Sequence, residues 1–179
     1  DLPYERKPHP KYIKRGKITA FEMIKFSVNI HRGCFGGCSF CTIAAHQGKQ
    51  IISRSENSIL KEIDLIAKDQ EFKGYLSDLG APSANMYKMK GIDLKLCQNC
   101  SKPSCIFPKI CNNLNFDHKP LLDLYEKVRA LPYIKKAFVG SGLRYDLFIG
   151  IDKEKEKKYH TREYFETVFQ HHISGRLKV

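Results

Sequence analysis

Asn29-Ile-His-Arg-Gly-Cys-Phe-Gly-Gly-Cys-Ser-Phe-Cys41 places three cysteines, Cys34, Cys38 and Cys41, at the spacing C-x3-C-x2-C. Thiolates are soft ligands that select zinc, copper(I) or iron–sulfur clusters. A structural zinc takes four protein ligands, so a zinc site here would need His31 or His46 as well. Three cysteines on a cluster of four irons would instead keep one iron open. The glycines between the cysteines allow backbone N–H groups to approach the sulfurs.

Composition limits the classes of protein to which the chain can belong. It has 179 residues, with 31 Lys and Arg against 19 Asp and Glu, a net charge of +12. This excess is compatible with RNA as a partner. No apolar run approaches the ~20 residues that span a bilayer, so we expect no membrane. Seven cysteines in two close groups favour metal sites in a reducing compartment, and we expect a cytoplasmic protein. The absence of an initial Met leads us to expect a piece of a longer protein.

The hydrophobic pattern predicts an α/β fold in which strands alternate with helices. Residues 1–17 are predicted to be an extended lead-in. The predicted strands are 18–30 (with Ile24, Phe26, Val28 and Ile30), 72–79, 136–139 and 176–179. The predicted helices are 56–69, with an N-cap at Ser55, and 119–131. A last helix is predicted to be capped by Thr161, with Tyr164, Phe165, Val168 and Phe169 on its inner face. Residues 152–158 are predicted to be a charged, solvated loop. Strand, loop, helix and strand make one βαβ unit, whose parallel crossover is right-handed.

A second group of cysteines, Cys97, Cys100, Cys105 and Cys111, forms a Cys-rich insertion at 97–111. Four thiolates suit a closed tetrahedral zinc site. They suit a second 4Fe–4S cluster equally well. Disulfides are a third possibility, and the sequence does not choose among the three.

The loop at Cys34–Cys41 resembles that of the radical S-adenosylmethionine (SAM) enzymes, whose signature is C-x3-C-x-aromatic-C, with Phe40 at the aromatic position. The resemblance implies a 4Fe–4S cluster on Cys34, Cys38 and Cys41, with SAM chelated at the open iron. It implies reductive cleavage of SAM to a 5′-deoxyadenosyl radical that abstracts hydrogen from a substrate. The candidate SAM-binding residues are Phe40, Asp78, Gly80, Ser141 and Arg144. Arginine binds carboxylates in a fork, so Arg144 has two candidate partners, the SAM carboxylate and Asp146.

Further segments resemble the YgiQ-type radical-SAM proteins. They are Arg32–Cys41, His46–Gly48, Ile52–Ser55, Ser141–Asp146 and His172–Val179. The resemblance implies a partial TIM-like (β/α)6 barrel, of which residues 18–179 supply the N-terminal half. It also implies a reductant such as flavodoxin or ferredoxin, and it leaves the substrate unknown. Half a barrel exposes core faces, so we expect the chain to self-associate or to be marginally stable. The alternative is a non-catalytic zinc module with a basic, RNA-binding surface.

Overall fold

The computed structural model describes residues 5–175 as a mixed α/β structure with small sheets. Its α-helices are α1 (Thr19–Ile24), α2 (Ile43–Gln47), α3 (Glu56–Ala67), α4 (Leu94–Gln98), α5 (Lys119–Arg129), α6 (Lys153–Lys158) and α7 (Thr161–His171). Its strands are β1 (Ser27–Asn29), β2 (His31–Arg32), β3 (Ile52–Ser53), β4 (Tyr75–Leu76), β5 (Asp78–Gly80), β6 (Lys90–Gly91), β7 (Leu114–Asn115) and β8 (Lys136–Ala137). Short 3-10 turns lie at Pro10–Arg15, Ala84–Met86 and Tyr145–Leu147.

Three parallel strand segments lie side by side in chain order. β1 pairs with β5, and β4 pairs with β8. Only Ser77 separates β4 from β5, so this middle segment joins the other two. The Leu79 N–H donates to the Phe138 carbonyl at 2.8 Å, and the Ile30 N–H donates to the Gly80 carbonyl at 2.9 Å. The loops that follow all three segments therefore leave from one edge, the carboxyl edge.

Helices α3 and α5 connect these segments and bury their apolar faces against them. Ser55 caps α3 by accepting a hydrogen bond from the Ser58 N–H at 3.2 Å, as predicted. Ile59, Ile63 and Ile66 on α3 are buried. The buried face of α5 likewise follows the predicted apolar spacing and consists of Leu121, Leu122, Leu124, Tyr125 and Val128. Both helices end two residues before the predicted boundaries.

Two short antiparallel strand pairs lie at the bases of the two segments that contain cysteines. β2 pairs with β3 around the segment that carries Cys34, Cys38 and Cys41. β6 pairs with β7 around the Cys-rich insertion. Each cysteine-containing segment thus begins and ends at a pair of hydrogen-bonded strands, which restricts where its cysteines lie.

The N-terminal predictions need correction. Residues 18–30 were predicted to be one strand, but Thr19–Ile24 forms α1 and only Ser27–Asn29 is strand. Ala, Glu and Met within α1 favour helix, and Ile24 is 61% exposed rather than buried. The lead-in also contains a 3-10 turn at Pro10–Arg15.

The C-terminal predictions were partly wrong. Residues 152–158 were predicted to be a loop, but Lys153–Lys158 form α6, and Asp152 caps this helix by accepting from the Lys155 N–H at 2.9 Å. The N-cap of α7 is His160, and Thr161 is its first residue. Phe165 and Phe169 were predicted to face inward but are 39% and 64% exposed.

The structure supports the predicted α/β class but does not show the predicted partial barrel. Residues 5–175 contain no closed barrel, and the sheets have two or three residues per strand. The predicted strand at 176–179 lies outside the described residues. In the same range, no helix combines the length and the apolar character needed to cross a membrane.

Candidate metal centre

The cysteine loop leaves from the carboxyl edge of β1 and is folded tightly at two glycines. At Gly33, with φ +87°, a Cβ would lie 2.0 Å from the Gln50 carbonyl oxygen. At Gly37, with φ +63°, a Cβ would lie 2.5 Å from the Pro103 carbonyl oxygen. Both positions combine a left-handed backbone with a close backbone approach, which only glycine accommodates. The glycines of the motif therefore determine the path of the loop.

Three hydrogen-bonding groups lie against two of the sulfurs. The Gly36 N–H donates to Cys34 Sγ at 3.4 Å, and Ser83 Oγ lies 3.4 Å from the same sulfur. Arg144 Nη1 donates to Cys38 Sγ at 3.0 Å. Donors at this range stabilise negative charge on sulfur, as in thiolate metal sites.

Arg144 has both a carboxylate and a sulfur as partners. Its Nη2 lies 2.5 Å from Asp146 Oδ2, the ion pair that the sequence left as one of two alternatives. Burial lowers the pKa of the guanidinium, but Asp146 and Cys38 together raise it by more, so the net shift of the pKa is upward. Arg144 thus places a fixed positive charge beside the loop.

The predicted residues Asp78, Gly80 and Ser141 lie together at the ends of neighbouring segments. Asp78 Oδ1 accepts from the N–H groups of Gly140 at 2.8 Å and Ser141 at 3.1 Å, and the Ser141 hydroxyl donates to Oδ2. A Cβ on Gly80 would lie 2.5 Å from both Asp78 Oδ1 and Ser141 Oγ. The Asp78 carboxylate therefore holds the loop at 140–141 in place. Phe40 lies in a different environment, with its side chain 90% exposed.

The sequence interpretation missed Ser83, Asn85 and the position of His31. His31 Nε2 lies 3.0 Å from the Ser83 carbonyl oxygen, to which it donates when neutral. Burial lowers the pKa of His31, which favours that neutral form. Ser83 and Asn85 are buried polar residues directly after the end of β5. Their place after a strand end was the one signal that could have identified them.

The Cys-rich insertion packs directly on the cysteine loop. The Cys105 N–H donates to the Phe35 carbonyl at 3.0 Å, and Ser104 Oγ donates to the Gly36 carbonyl at 2.8 Å. A separate hydrophobic core fills the interface between the cysteine loop and the insertion, and Cys34, Cys105 and Cys111 pack against its edge. This core consists of Phe35, Met86, Met89, Ile106, Leu114, Phe116 and Leu147. The two cysteine groups thus belong to one structural unit.

The four cysteines of the insertion have different surroundings. Asn113 Nδ2 donates to Cys97 Sγ at 3.3 Å, and Lys49 Nζ lies 3.8 Å from Cys100 Sγ. A hydrogen bond from the Lys102 backbone, aided by Lys49, lowers the pKa of the exposed Cys100 thiol. Burial raises the pKa of Cys105. A cleft of about 600 Å³ runs past this insertion and is lined in part by Cys111, Asp146 and Tyr159.

All seven cysteines are free thiols. In the part of the chain that the structure describes, no three Cys, His, Asp or Glu side chains form a metal-binding group. The metal ligands Cys34, Cys38 and Cys41, and the second set, Cys97, Cys100, Cys105 and Cys111, therefore stay predictions.

Fold and site together define an α/β protein with a cysteine loop at the carboxyl edge of parallel strands. The chain is similar over its whole length to UPF0313 proteins of Bacteroides thetaiotaomicron, with 61% identity, and Porphyromonas gingivalis, with 60% identity. A UPF0313 protein of Pseudomonas aeruginosa is 49% identical over 99% of the chain. The chain spans only 29%, 28% and 22% of these curated relatives, respectively. No family model matches it, and no solved structure matches it.

Proposed function

We propose that this chain is a segment of a longer, UPF0313-like protein of the YgiQ type, and that it carries the cofactor centre of a radical SAM enzyme. The observation that carries the proposal is the placement of hydrogen-bond donors on the sulfurs of Cys34 and Cys38 within the C-x3-C-x2-C loop. These donors lie at the edge where α/β proteins place their functional loops, and donors to sulfur are a common feature of thiolate metal sites.

The donor chemistry of the cysteine loop suits a 4Fe–4S cluster. Cys34, Cys38 and Cys41 supply three soft donors within eight residues, and Gly36 supplies a backbone N–H to one of them. Three protein ligands leave one iron available to SAM. When bound, such a cluster supplies the electron that cleaves SAM to methionine and a 5′-deoxyadenosyl radical, which abstracts hydrogen from a substrate.

The chain's own residues bind, orient and shield this centre. Asp78 holds the loop at 140–141 beside Gly80, whose missing side chain leaves room for the Asp78 carboxylate and the Ser141 hydroxyl. Arg144 supplies positive charge next to Cys38. In this proposal Phe40, with its exposed ring, is available to contact the adenine of SAM.

The order of the strands also supports the proposal. Consecutive parallel segments in the order one, two, three, joined by α3 and α5, are the arrangement found in the first half of a (β/α) barrel. The Cys-rich insertion would then hold zinc or a second iron–sulfur cluster next to the first centre. We place the protein in the cytoplasm, with flavodoxin or ferredoxin as the electron donor and an unknown substrate.

The test uses the full-length protein, purified and reconstituted without oxygen. Iron, sulfide and zinc are counted for the wild type and for the Cys34→Ala, Cys38→Ala and Cys41→Ala variants. We expect about four irons fewer in each variant, and 5′-deoxyadenosine from SAM and dithionite in the wild type only. About one zinc per chain with no iron, or no 5′-deoxyadenosine from a protein with its full iron content, would contradict the proposal.

A further inference from the structure

We propose that Asn85 is a positioning residue: it holds Arg144 so that the guanidinium donates to Cys38 Sγ, and this pair raises the reduction potential of the cluster bound there. The inference rests on the proposed function and extends it to residues that the cysteine motif does not contain. It starts from a buried polar side chain that makes two hydrogen bonds to Arg144 and a longer contact, at 3.5 Å, to His118.

Asn85 is bound to the backbone of Arg144 through both ends of its amide. Asn85 Oδ1 accepts from the Arg144 N–H at 2.8 Å, and Asn85 Nδ2 donates to the Arg144 carbonyl at 2.9 Å. The side chain of Asn85 is 0% exposed. Two hydrogen bonds in a buried position fix the residue they join far better than one exposed contact does. The backbone of Arg144 therefore has a single position relative to the turn at 84–86.

The fixed backbone directs the Arg144 side chain toward the sulfurs. Nη1 donates to Cys38 Sγ at 3.0 Å, while Nε and Nη2 donate to Asp146 at 3.2 Å and 2.5 Å. At Gly36, a Cβ would lie 3.3 Å from Cys34 Sγ and 3.4 Å from Arg144 Nη1. The absence of a side chain at Gly36 thus leaves room for both the guanidinium of Arg144 and the sulfur of Cys34.

The residue that precedes the turn at 84–86 contacts the sulfur of Cys34. Ser83 precedes Asn85 by two residues, and its Oγ lies 3.4 Å from Cys34 Sγ. Its carbonyl accepts from the buried His31, which comes from the strand that starts the cysteine loop. One short turn therefore carries both a direct donor to Cys34 and the support for the donor to Cys38.

The chemical consequence follows from charge. Reduction adds negative charge to a cluster, and hydrogen bonds or positive charge at its sulfurs favour that state. Removing the Arg144 guanidinium, or letting it move away from Cys38, shifts the midpoint potential to more negative values. Because Asn85 acts only through Arg144, its effect disappears when the guanidinium is absent.

The experiment is a double-mutant cycle in the reconstituted full-length protein, with Asn85→Ala, Arg144→Gln and the double variant. The readouts are the iron and sulfide counts, the midpoint potential from a spectroscopic redox titration, and the EPR spectrum of the reduced cluster. Asn57→Ala, on the exposed surface of α3, is the matched control. If Asn85→Ala does not fold, Asn85→Ser replaces it, because a hydroxyl retains one hydrogen-bonding group in the buried position.

We expect both single variants to shift the potential in the negative direction with the iron count retained, and Asn85→Ala to add no shift in the Arg144→Gln background. The control keeps the wild-type potential. An unchanged potential in Asn85→Ala, or an equal shift in both backgrounds, overturns the inference while leaving the proposed function intact. A wild-type protein that takes up no iron overturns the proposed function itself, and this inference with it.

Discussion

At the scale of single residues, Gly37 has little tolerance for a side chain. Its φ of +63° lies in the left-handed region, and a Cβ would lie 2.5 Å from the Pro103 carbonyl oxygen. We expect Gly37→Ala to destabilise the contact between loop and insertion by about 2 kcal/mol or more, from backbone strain and overpacking together. Thermal unfolding and the iron count after reconstitution measure the effect.

Gly142→Ala is the matched control for Gly37→Ala, because a Cβ at Gly142 meets nothing within 4 Å. We expect it to retain the wild-type melting temperature and iron count. If the two variants behave alike, the close packing of Pro103 on Gly37 has no energetic importance.

A buried histidine gives the protein a defined response to acid. Burial lowers the pKa of His118 to about 4. Its Nε2 lies 3.5 Å from Asn85 Nδ2, and its Nδ1 lies 3.3 Å from the Tyr159 carbonyl, so the neutral ring accepts from one and donates to the other. The unfolded chain takes up a proton near pH 6.5, whereas the folded chain does so only near pH 4. Stability is therefore complete above pH 6.5 and falls as the pH drops from there to about 4.

The loss from this one histidine is roughly 3 kcal/mol over that window, taken from the difference between the two pKa values. Burial also lowers the pKa of His172 to about 4, so His172 adds a loss of the same sign. The free energy of unfolding at pH 7.5 and pH 5 measures the slope. We expect His118→Gln to reduce the slope, and an unchanged slope would show that His118 is not the titrating group.

At the scale of elements, the Cys-rich insertion depends on one hydroxyl. Ser104 Oγ donates to the Gly36 carbonyl at 2.8 Å and accepts from the N–H groups of Ile106 and Phe107 at 3.1 Å and 3.0 Å. Ser104→Ala leaves these buried groups without that partner, at a cost of about 1 to 3 kcal/mol. We expect faster amide hydrogen exchange at residues 33–38 and 103–107.

Ser101→Ala serves as the control for Ser104→Ala, since Ser101 lies in the same insertion and is exposed. Its exchange rates should match the wild type in both segments. Fast exchange at 103–107 alone, with 33–38 unchanged, would show that the insertion and the cysteine loop are not coupled through Ser104.

The elements also show what the sequence can and cannot predict. α3 and α5 were predicted because their apolar residues recur with the helical period and one face is buried. α1 and α6 have no buried residues, so periodicity carries no information about them. The contacts of Ser83, Asn85 and Ser104 join residues 49 to 68 positions apart, and no local pattern specifies such pairs.

The cysteine loop combines features that the sequence predicts with contacts that it does not. Its spacing predicted the candidate ligands, and Arg144 was among the residues assigned to the SAM pocket. The structure pairs Arg144 with Asp146, one of the two partners considered, and also brings it to Cys38 Sγ. The SAM carboxylate as a partner stays a prediction. Asp78 was assigned to the SAM pocket, and its observed hydrogen bonds go to the backbone of the loop at 140–141.

At the scale of the whole molecule, the exposed apolar surface leads to a prediction about association. Phe165 and Phe169 stack on the outer side of α7, with ring centroids 6.1 Å apart and exposures of 39% and 64%. Met23 and Ile24 on α1 are 67% and 61% exposed. Clustered apolar side chains of this kind mark surfaces that pack against protein. In our proposal, they face parts of the longer protein that lie beyond this chain.

We therefore expect the 179-residue chain on its own to self-associate in a concentration-dependent manner. Light scattering coupled to size-exclusion chromatography at rising concentration measures this directly. The double variant Phe165→Lys, Phe169→Lys removes the stacked pair and should shift the chain toward monomer, whereas Leu65→Lys, at a single exposed apolar residue on α3, should not. A wild-type chain that stays monomeric at every concentration and unfolds cooperatively would show that these surfaces need no partner, and that the segment is a self-sufficient fold.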